Sequence, residues 1–158
     1  MSTHSELARE LFGKRYNCAQ SVFAAFCDET GMDFNKALKI AAPFGGGIGR
    51  LQEVCGAVSG MAMVIGMIYG YTDPSDDESK TEHYELVKGL VKQFEKENSS
   101  IICRELLSLS EKNNNPLPGD GHGGYYEKRP CAGIVEHAAR ILDEYILSKK
   151  REEKEIHA

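Results

Sequence analysis

Apolar residues recur at helical spacing along most of this chain. The i, i+3, i+4, i+7 pattern runs through Ala19, Val22, Phe23, Phe26 and Cys27, and again through Tyr84, Val87, Leu90, Val91 and Phe94. No stretch alternates apolar and polar positions for long enough to indicate a strand. The pattern therefore predicts an all-α fold, a single-domain bundle of about six to seven helices around a central helix that is apolar and rich in glycine.

Residues that start and stop helices set the expected boundaries. Asn17 and Asp33 are of the type that caps helix N-termini, and Asp73 to Asp76 ends one helix and begins the next. Pro130 suits the first turn of the last helix, because proline has no N–H group to leave unpaired there. The predicted helices span 3–12, 18–30, 34–41, 53–70, 76–97, 101–109 and 131–150.

Three segments depart from this pattern. The run 43–50 has four glycines in five positions, which allows a sharp turn and a close approach of the backbone. The Gly/Pro-rich segment 111–130 is predicted to be a long loop, and both a functional lid and a disordered segment stay open for it. The charged tail, 150–158, either continues the last helix in solvent or frays.

The predicted central helix lies in an uncharged segment, from Val54 to Thr72, that is long enough to cross a membrane. Glycines and tyrosines interrupt its apolar character, and the other predicted helices have polar faces. We therefore expect a buried helix and no membrane insertion. Gly56 and Gly60, four residues apart, lie on one side of this helix and would let a neighbouring helix pack closely against it.

Composition narrows the partners and the location. The 158 residues form one domain, 1–158, with 19 basic and 24 acidic residues and a net charge of −5. This balance argues against nucleic acid and anionic membranes, which clustered lysines and arginines bind. The N-terminus lacks a secretory signal, so we expect a cytoplasmic protein. Because cytoplasmic thiols are kept reduced, its cysteines indicate metal binding or redox chemistry rather than structural disulfides.

Four of the five cysteines, Cys18, Cys55, Cys103 and Cys131, lie at predicted helix N-termini. The partial positive charge of a helix N-terminus stabilises a thiolate and lowers its pKa. Four such ends at one point would suit an anionic iron–sulfur cluster bound by four cysteines, with backbone N–H groups near its sulfurs. The glycines expected to allow that approach are Gly45, Gly46, Gly47, Gly49 and Gly56. Cys27 lies about 180° round the helix from Cys18 and roughly 13 Å along it, and is assigned to the core.

Other candidate signals are weaker. The glycine run lacks both the spacing of a dinucleotide-binding motif and the lysine of a P-loop, which argues against a nucleotide site. His122, in the long loop, is a candidate auxiliary ligand, whereas His137 lies about 240° round the helix from Cys131. Arg50 and Glu53 flank the glycine run and either pair with each other or line the pocket.

These motifs resemble one family over nearly the whole chain. The motifs are Asn17-Cys18-Ala19-Gln20-Ser21-Val22, Phe44 to Arg50, Cys55-Gly-Ala-Val-Ser-Gly60, Cys103-Arg-Glu-Leu-Leu107 and Cys131 at the start of the last helix. Together they are similar to those of the C_GCAxxG_C_C family of redox-active proteins. The resemblance implies that the family's four cysteines correspond to Cys18, Cys55, Cys103 and Cys131. It implies no substrate, and a related module accompanies haem domains in split-Soret cytochromes.

Three functions stay open. The first is an iron–sulfur cluster, or a single metal such as zinc, held by the four cysteines for electron transfer or redox sensing. The second is thiol–disulfide exchange by a cysteine pair, and the third is a structural or partner-binding module with packing cysteines. No Cys-x-x-Cys-His sequence is present for haem attachment. We expect a redox partner protein of unknown identity, and a homodimer and enzymatic activity both stay open.

Overall fold

A computed structural model describes residues 3–110 and 131–156, and in these ranges the chain is all-α, as predicted. The described residues form no strand, only an isolated antiparallel bridge between Val54 and Ile102. The helices are α1 (His4–Gly13), α2 (Cys18–Ala25), α3 (Cys27–Thr30), α4 (Phe34–Ala41), a 3-10 turn (Ala42–Phe44), α5 (Gly56–Tyr69), α6 (Asp77–Asn98), α7 (Cys103–Ser110) and α8 (Cys131–Ile156).

Local capping residues account for several of these boundaries. The Asn17 side chain accepts a hydrogen bond from the Gln20 amide at 2.8 Å, and the Gln20 side chain accepts one from the Asn17 amide at 3.0 Å. Asp33 caps α4 by accepting from the Lys36 amide at 3.0 Å. The predicted caps at Asn17 and Asp33 are therefore confirmed. Pro130 and the segment 111–130 lie outside the described residues.

Tertiary packing changes two of the predicted helices. The helix predicted at 18–30 is interrupted at Phe26 (φ −105°, ψ 20°), whose buried ring stacks on that of His4 with centroids 4.2 Å apart. The helix predicted at 53–70 begins only at Gly56, because the residues before it are extended and pair with the chain before α7. The last helix continues through the charged tail to Ile156.

The core forms where α1 packs against α8, α2 packs against α5, and both α2 and α5 also contact α8. In α2 and in the first part of α5 almost every residue is buried, so these two helices are the centre of the fold. The largest fully buried side chains are Phe23, Phe26, Phe94, Met61, Ile65, Ile141 and Leu142. No helix within the described ranges has both the length and the apolarity needed to cross a membrane.

His4 joins α1 to α3 and α8. Its Nε2 lies 2.8 Å from Asp28 and its Nδ1 is hydrogen-bonded to Asp143. The bond to Asp143 is the main reason why the pKa of His4 rises to about 9. His4, Asp28 and Glu29 offer ligand atoms close enough for a metal ion, but a protonated imidazole with a carboxylate on each nitrogen is the centre of an ion-pair network.

Glycine permits the close approach of α2 and α5, as the spacing of Gly56 and Gly60 predicted. A β-carbon on Gly60 would lie 2.8 Å from the carbonyl oxygen of Ala19 and 3.0 Å from the Val22 Cβ. A β-carbon on Gly56 would lie 3.2 Å from the Cys18 Cβ. The two helices therefore need glycine at both positions in order to hold Cys18 and the start of α5 together.

We expect Gly60→Ala to lower the free energy of unfolding by about 1–3 kcal/mol, because the added methyl group forces α2 and α5 apart. Gly66→Ala is the matched control in the same helix, since a β-carbon there meets nothing within 4 Å. The control should raise stability by about 0.5–1 kcal/mol, because alanine favours the helix over glycine. Urea unfolding measures both changes, and equal effects of the two substitutions would contradict the close packing.

Candidate cysteine site

Four cysteines, each at the end of a helix, line one cavity of about 330 Å³. Cys18 is the first residue of α2, and Cys55 is the residue that caps α5. Cys103 begins α7, and Cys131 is the first described residue of α8. Cys55 is buried and the other three are half-buried. The structure therefore brings together the four cysteines that were selected from the sequence.

The glycine run forms one wall of the cavity with an unusual backbone. Five consecutive residues are left-handed, with φ of 64° at Gly46, 68° at Gly47, 66° at Ile48, 55° at Gly49 and 67° at Arg50. The loop folds back on the 3-10 turn, because Gly49 donates to the Pro43 carbonyl at 2.9 Å. The glycines predicted near a cofactor, Gly45, Gly46, Gly47, Gly49 and Gly56, all line the cavity.

Glycine at position 47 is required both by its backbone conformation and by the space around it. A β-carbon there would lie 2.7 Å from the Cys103 Cβ and 2.7 Å from the Glu53 amide nitrogen. Among the described residues, the Gly46 and Gly47 N–H groups donate no backbone hydrogen bond. They are available to a sulfur ligand in the cavity that they line.

A short pairing of two extended segments places Cys55 next to Cys103. Cys55 donates from its amide to the Ile101 carbonyl at 2.7 Å, and Cys103 donates to the Glu53 carbonyl at 2.6 Å. Arg104 then holds Glu53 through two guanidinium hydrogen bonds, of 3.0 and 3.2 Å. The start of α5 and the start of α7 are thus fixed to each other on both sides of the two cysteines.

Arg50 and Glu53 have different roles. Glu53 pairs with Arg104, so the predicted alternative of an Arg50–Glu53 ion pair is wrong. Arg50 is exposed and lines the cavity, which was the other alternative. Arg104 was missed because its partner is far away in the sequence and no local pattern marks the pair.

Contacts among the thiols and burial determine the pKa values of Cys18 and Cys55 more than the helix ends do. Hydrogen bonding to Cys131, burial and the three neighbouring cysteines raise the pKa of Cys18 well above its usual value. Burial raises the pKa of Cys55 to about 12, although hydrogen bonds from the backbone of Ala57 and Val58 lower it. The start of α5 thus lowers the pKa of Cys55 as expected, but burial outweighs this effect, and the net pKa values of Cys18 and Cys55 are raised. A metal cation would reverse the balance, because metal binding deprotonates its thiol ligands.

The remaining candidates lie elsewhere. Cys27 begins α3, is half-buried against the core and does not line the cavity, in agreement with its assignment to the core. His137 is hydrogen-bonded to Asn98 at 2.9 Å and also does not line the cavity. His122 lies outside the described residues.

The four thiols fit an iron–sulfur cluster in donor chemistry, and as a group they are spread more widely than the four ligands of a single ion. In ranges 3–110 and 131–156, no three cysteine sulfurs lie within 4.8 Å of one another. The sulfurs of a tetrahedral zinc site are about 3.8 Å apart, because each Zn–S bond is about 2.3 Å long. The four ligands of a cluster are divided among two or four irons, so they need not all lie within the spacing of ligands to one ion.

The fold and the site define a small all-α protein built around a four-cysteine cavity. The family model described as "Putative redox-active protein (C_GCAxxG_C_C)" matches residues 16–145, which include all four of these cysteines. The chain belongs to this family, as the sequence motifs predicted. No curated protein and no solved structure matches the chain.

Proposed function

We propose that Cys18, Cys55, Cys103 and Cys131 ligate one iron–sulfur cluster, through which the protein transfers electrons or senses redox state. The observation that carries this proposal is the convergence of the four cysteines, from four separate helices, on one cavity of about 330 Å³. Family membership supports redox activity in general terms. A bound cluster supplies reversible one-electron transfer at a potential that the surrounding protein sets.

The chain's own groups would hold and tune such a cluster. The four thiolates are the ligands, and the N-termini of α2, α5 and α7 place partial positive charge beside them. The Gly46 and Gly47 N–H groups are suited to bond the sulfurs, and Arg50 adds a full positive charge at the cavity wall. Together these groups offset the negative charge that four thiolates and a cluster bring into an acidic protein.

Zinc is the alternative occupant, since four thiolates bind it well. The sulfur spacing supports the cluster instead, because at least two of the four sulfurs would have to move inward to surround one ion. A structural zinc site would also give the protein no redox chemistry of its own.

One contact favours a second candidate function, thiol–disulfide exchange. The Cys18 thiol is hydrogen-bonded to Cys131, so this pair is close enough to be considered for a disulfide. The hydrogen bond to Cys131, burial and neighbouring thiols raise the pKa of Cys18, however, which disfavours it as the attacking thiolate. The exchange function would also leave Cys55 and Cys103 without a role.

Alkylation of the full chain, purified without oxygen, tests the proposal and separates it from exchange. Mass spectrometry should find Cys27 alkylated and the other four protected. All four should become reactive after acid releases the metal, with no reductant added. Release of two cysteines only by a reductant would contradict the proposal in favour of exchange. Protection of the four in a protein that holds no iron would indicate packing cysteines and also contradict it, because burial alone slows alkylation of Cys18 and Cys55.

A further inference from the structure

One run of the chain has a charge opposite to that of the whole protein. Residues 34–52 contain Lys36, Lys39 and Arg50 and no acidic residue, whereas the chain as a whole carries 24 acidic residues and a net charge of −5. This run consists of α4, the 3-10 turn and the glycine loop. None of its three basic side chains forms an ion pair with a carboxylate in the described part of the chain, so their charge is available to a partner.

The same run also exposes apolar side chains. Leu51 is 67% exposed, Ile40 is 47% exposed and Ile48 is 41% exposed. Lys36, Lys39 and Arg50 are exposed as well. Exposed apolar side chains with like charges close by in the chain are typical of a protein-binding surface. We call these six residues, Lys36, Lys39, Ile40, Ile48, Arg50 and Leu51, the basic apolar face.

Backbone strain gives an independent indication that the loop side chains are used. Ile48 has a φ of 66° and Arg50 a φ of 67°, a conformation that glycine adopts at lower cost than any residue with a side chain. Glycine occupies the neighbouring positions 47 and 49. The protein thus carries an isoleucine and an arginine where glycine would be less strained, and such strain is concentrated at functional sites.

The basic apolar face lies beside the cysteine cavity. Arg50 belongs to both, and the glycines on either side of Ile48 line the cavity. The loop is also hydrogen-bonded to the turn that directly follows α4, because Ile48 donates to the Phe44 carbonyl at 3.4 Å. A partner seated over the glycine loop would be separated from Cys103 by the loop backbone, since a β-carbon on Gly47 would lie 2.7 Å from the Cys103 Cβ.

We infer that the basic apolar face is the docking site of a small acidic electron-carrier protein. This inference rests on the proposed function for the choice of an electron carrier, and on charge and exposure for the surface itself. One electron passes from the reduced carrier to the oxidised cluster, so that the carrier is oxidised and the cluster reduced by one electron each. Electrostatic attraction would orient an acidic carrier with its redox group toward the glycine loop.

Other occupants fit this face less well. In a symmetric dimer through this face, a second copy of the chain would bring the same positive charges against these three, and like charges across an interface are unfavourable. Nucleic acid would find only three cations around an aliphatic centre, whereas nucleic-acid affinity depends on many phosphate contacts.

The test uses a flavodoxin as the probe, a small acidic protein that carries electrons on flavin mononucleotide. Calorimetry measures its binding to the full chain, and stopped-flow absorption measures electron transfer from the reduced probe. The variant is Lys36→Glu with Lys39→Glu on α4. The matched control is Lys92→Glu with Lys96→Glu on α6, which lines no part of the cavity. Each pair changes the charge equally and includes one lysine in the last turn of its helix.

The α4 variant should weaken binding by about tenfold or more and the α6 control by less than about twofold, since complementary charge must be local to act. Leu51→Ser should also weaken binding. Equal effects of the two lysine pairs would contradict the proposed docking site, and so would a wild-type protein that does not bind the probe. Loss of self-association or of DNA binding in the α4 variant would contradict it as well, because the face would then have another occupant. Binding that follows the expected pattern without electron transfer or bound iron would contradict the proposed function. It would still support the basic apolar face as a docking site.

Discussion

Serine in place of any one of Cys18, Cys55, Cys103 and Cys131 is expected to lower the affinity for the iron–sulfur cluster by more than about 100-fold. Loss of groups that only support a ligand already costs about 10- to 100-fold, and a ligand itself contributes more. Iron content and visible absorption after anaerobic reconstitution measure the change. Because the four cysteines come from four helices, no other described cysteine is placed to substitute for a lost one.

Cys27→Ser is the matched control for these four variants. Cys27 is half-buried, like three of the four, but lies outside the cavity, so the iron content should equal that of the wild type. Circular dichroism of each variant shows whether it is folded. A folded Cys55→Ser protein that retains its full iron content would contradict the four-cysteine site, and so would a loss of iron in Cys27→Ser.

Gly47→Ala is expected to lower the free energy of unfolding by about 2–5 kcal/mol, the combined cost of a left-handed alanine and an overpacked contact. Its φ is 68°, and the new β-carbon would lie 2.7 Å from the Cys103 Cβ. The loop can relieve this contact only by moving away from Cys103. The variant should therefore lose both stability, measured by urea unfolding, and bound iron.

Gly49→Ala separates the two causes. Gly49 is also left-handed, with a φ of 55°, but a β-carbon there meets nothing within 4 Å. Only the backbone cost of about 1–2 kcal/mol should appear, with little change in iron content. Equal losses of stability and iron in the two variants would show that the approach of the loop to Cys103 is unimportant.

The sequence was sufficient to predict what local interactions determine. The capping residues Asn17 and Asp33, the helices they begin and the close packing at Gly60 follow from short-range patterns. The break at Phe26 did not follow, because it accompanies burial of this ring and its stacking on His4, more than twenty residues away. Tertiary packing overrides helix propensity at such positions.

Position along a helix also predicted the four cysteines of the cavity, but not the net direction in which their pKa values are shifted. A helix N-terminus is a local feature visible in sequence, whereas the burial of Cys55 depends on how α5 and its neighbours pack. Burial dominates its pKa and raises it, outweighing the lowering by backbone N–H groups at the helix start that the local argument predicted. The Glu53–Arg104 pair was missed for the same reason, since it joins segments that are distant in the sequence.

Iron and acid-labile sulfide per chain, measured on the full-length protein purified without oxygen, test the central claim most directly. The four-cysteine cluster site predicts several irons per chain and an amount of sulfide that matches the iron. A single zinc per chain without sulfide, or a chain free of both metal and sulfide, would contradict it.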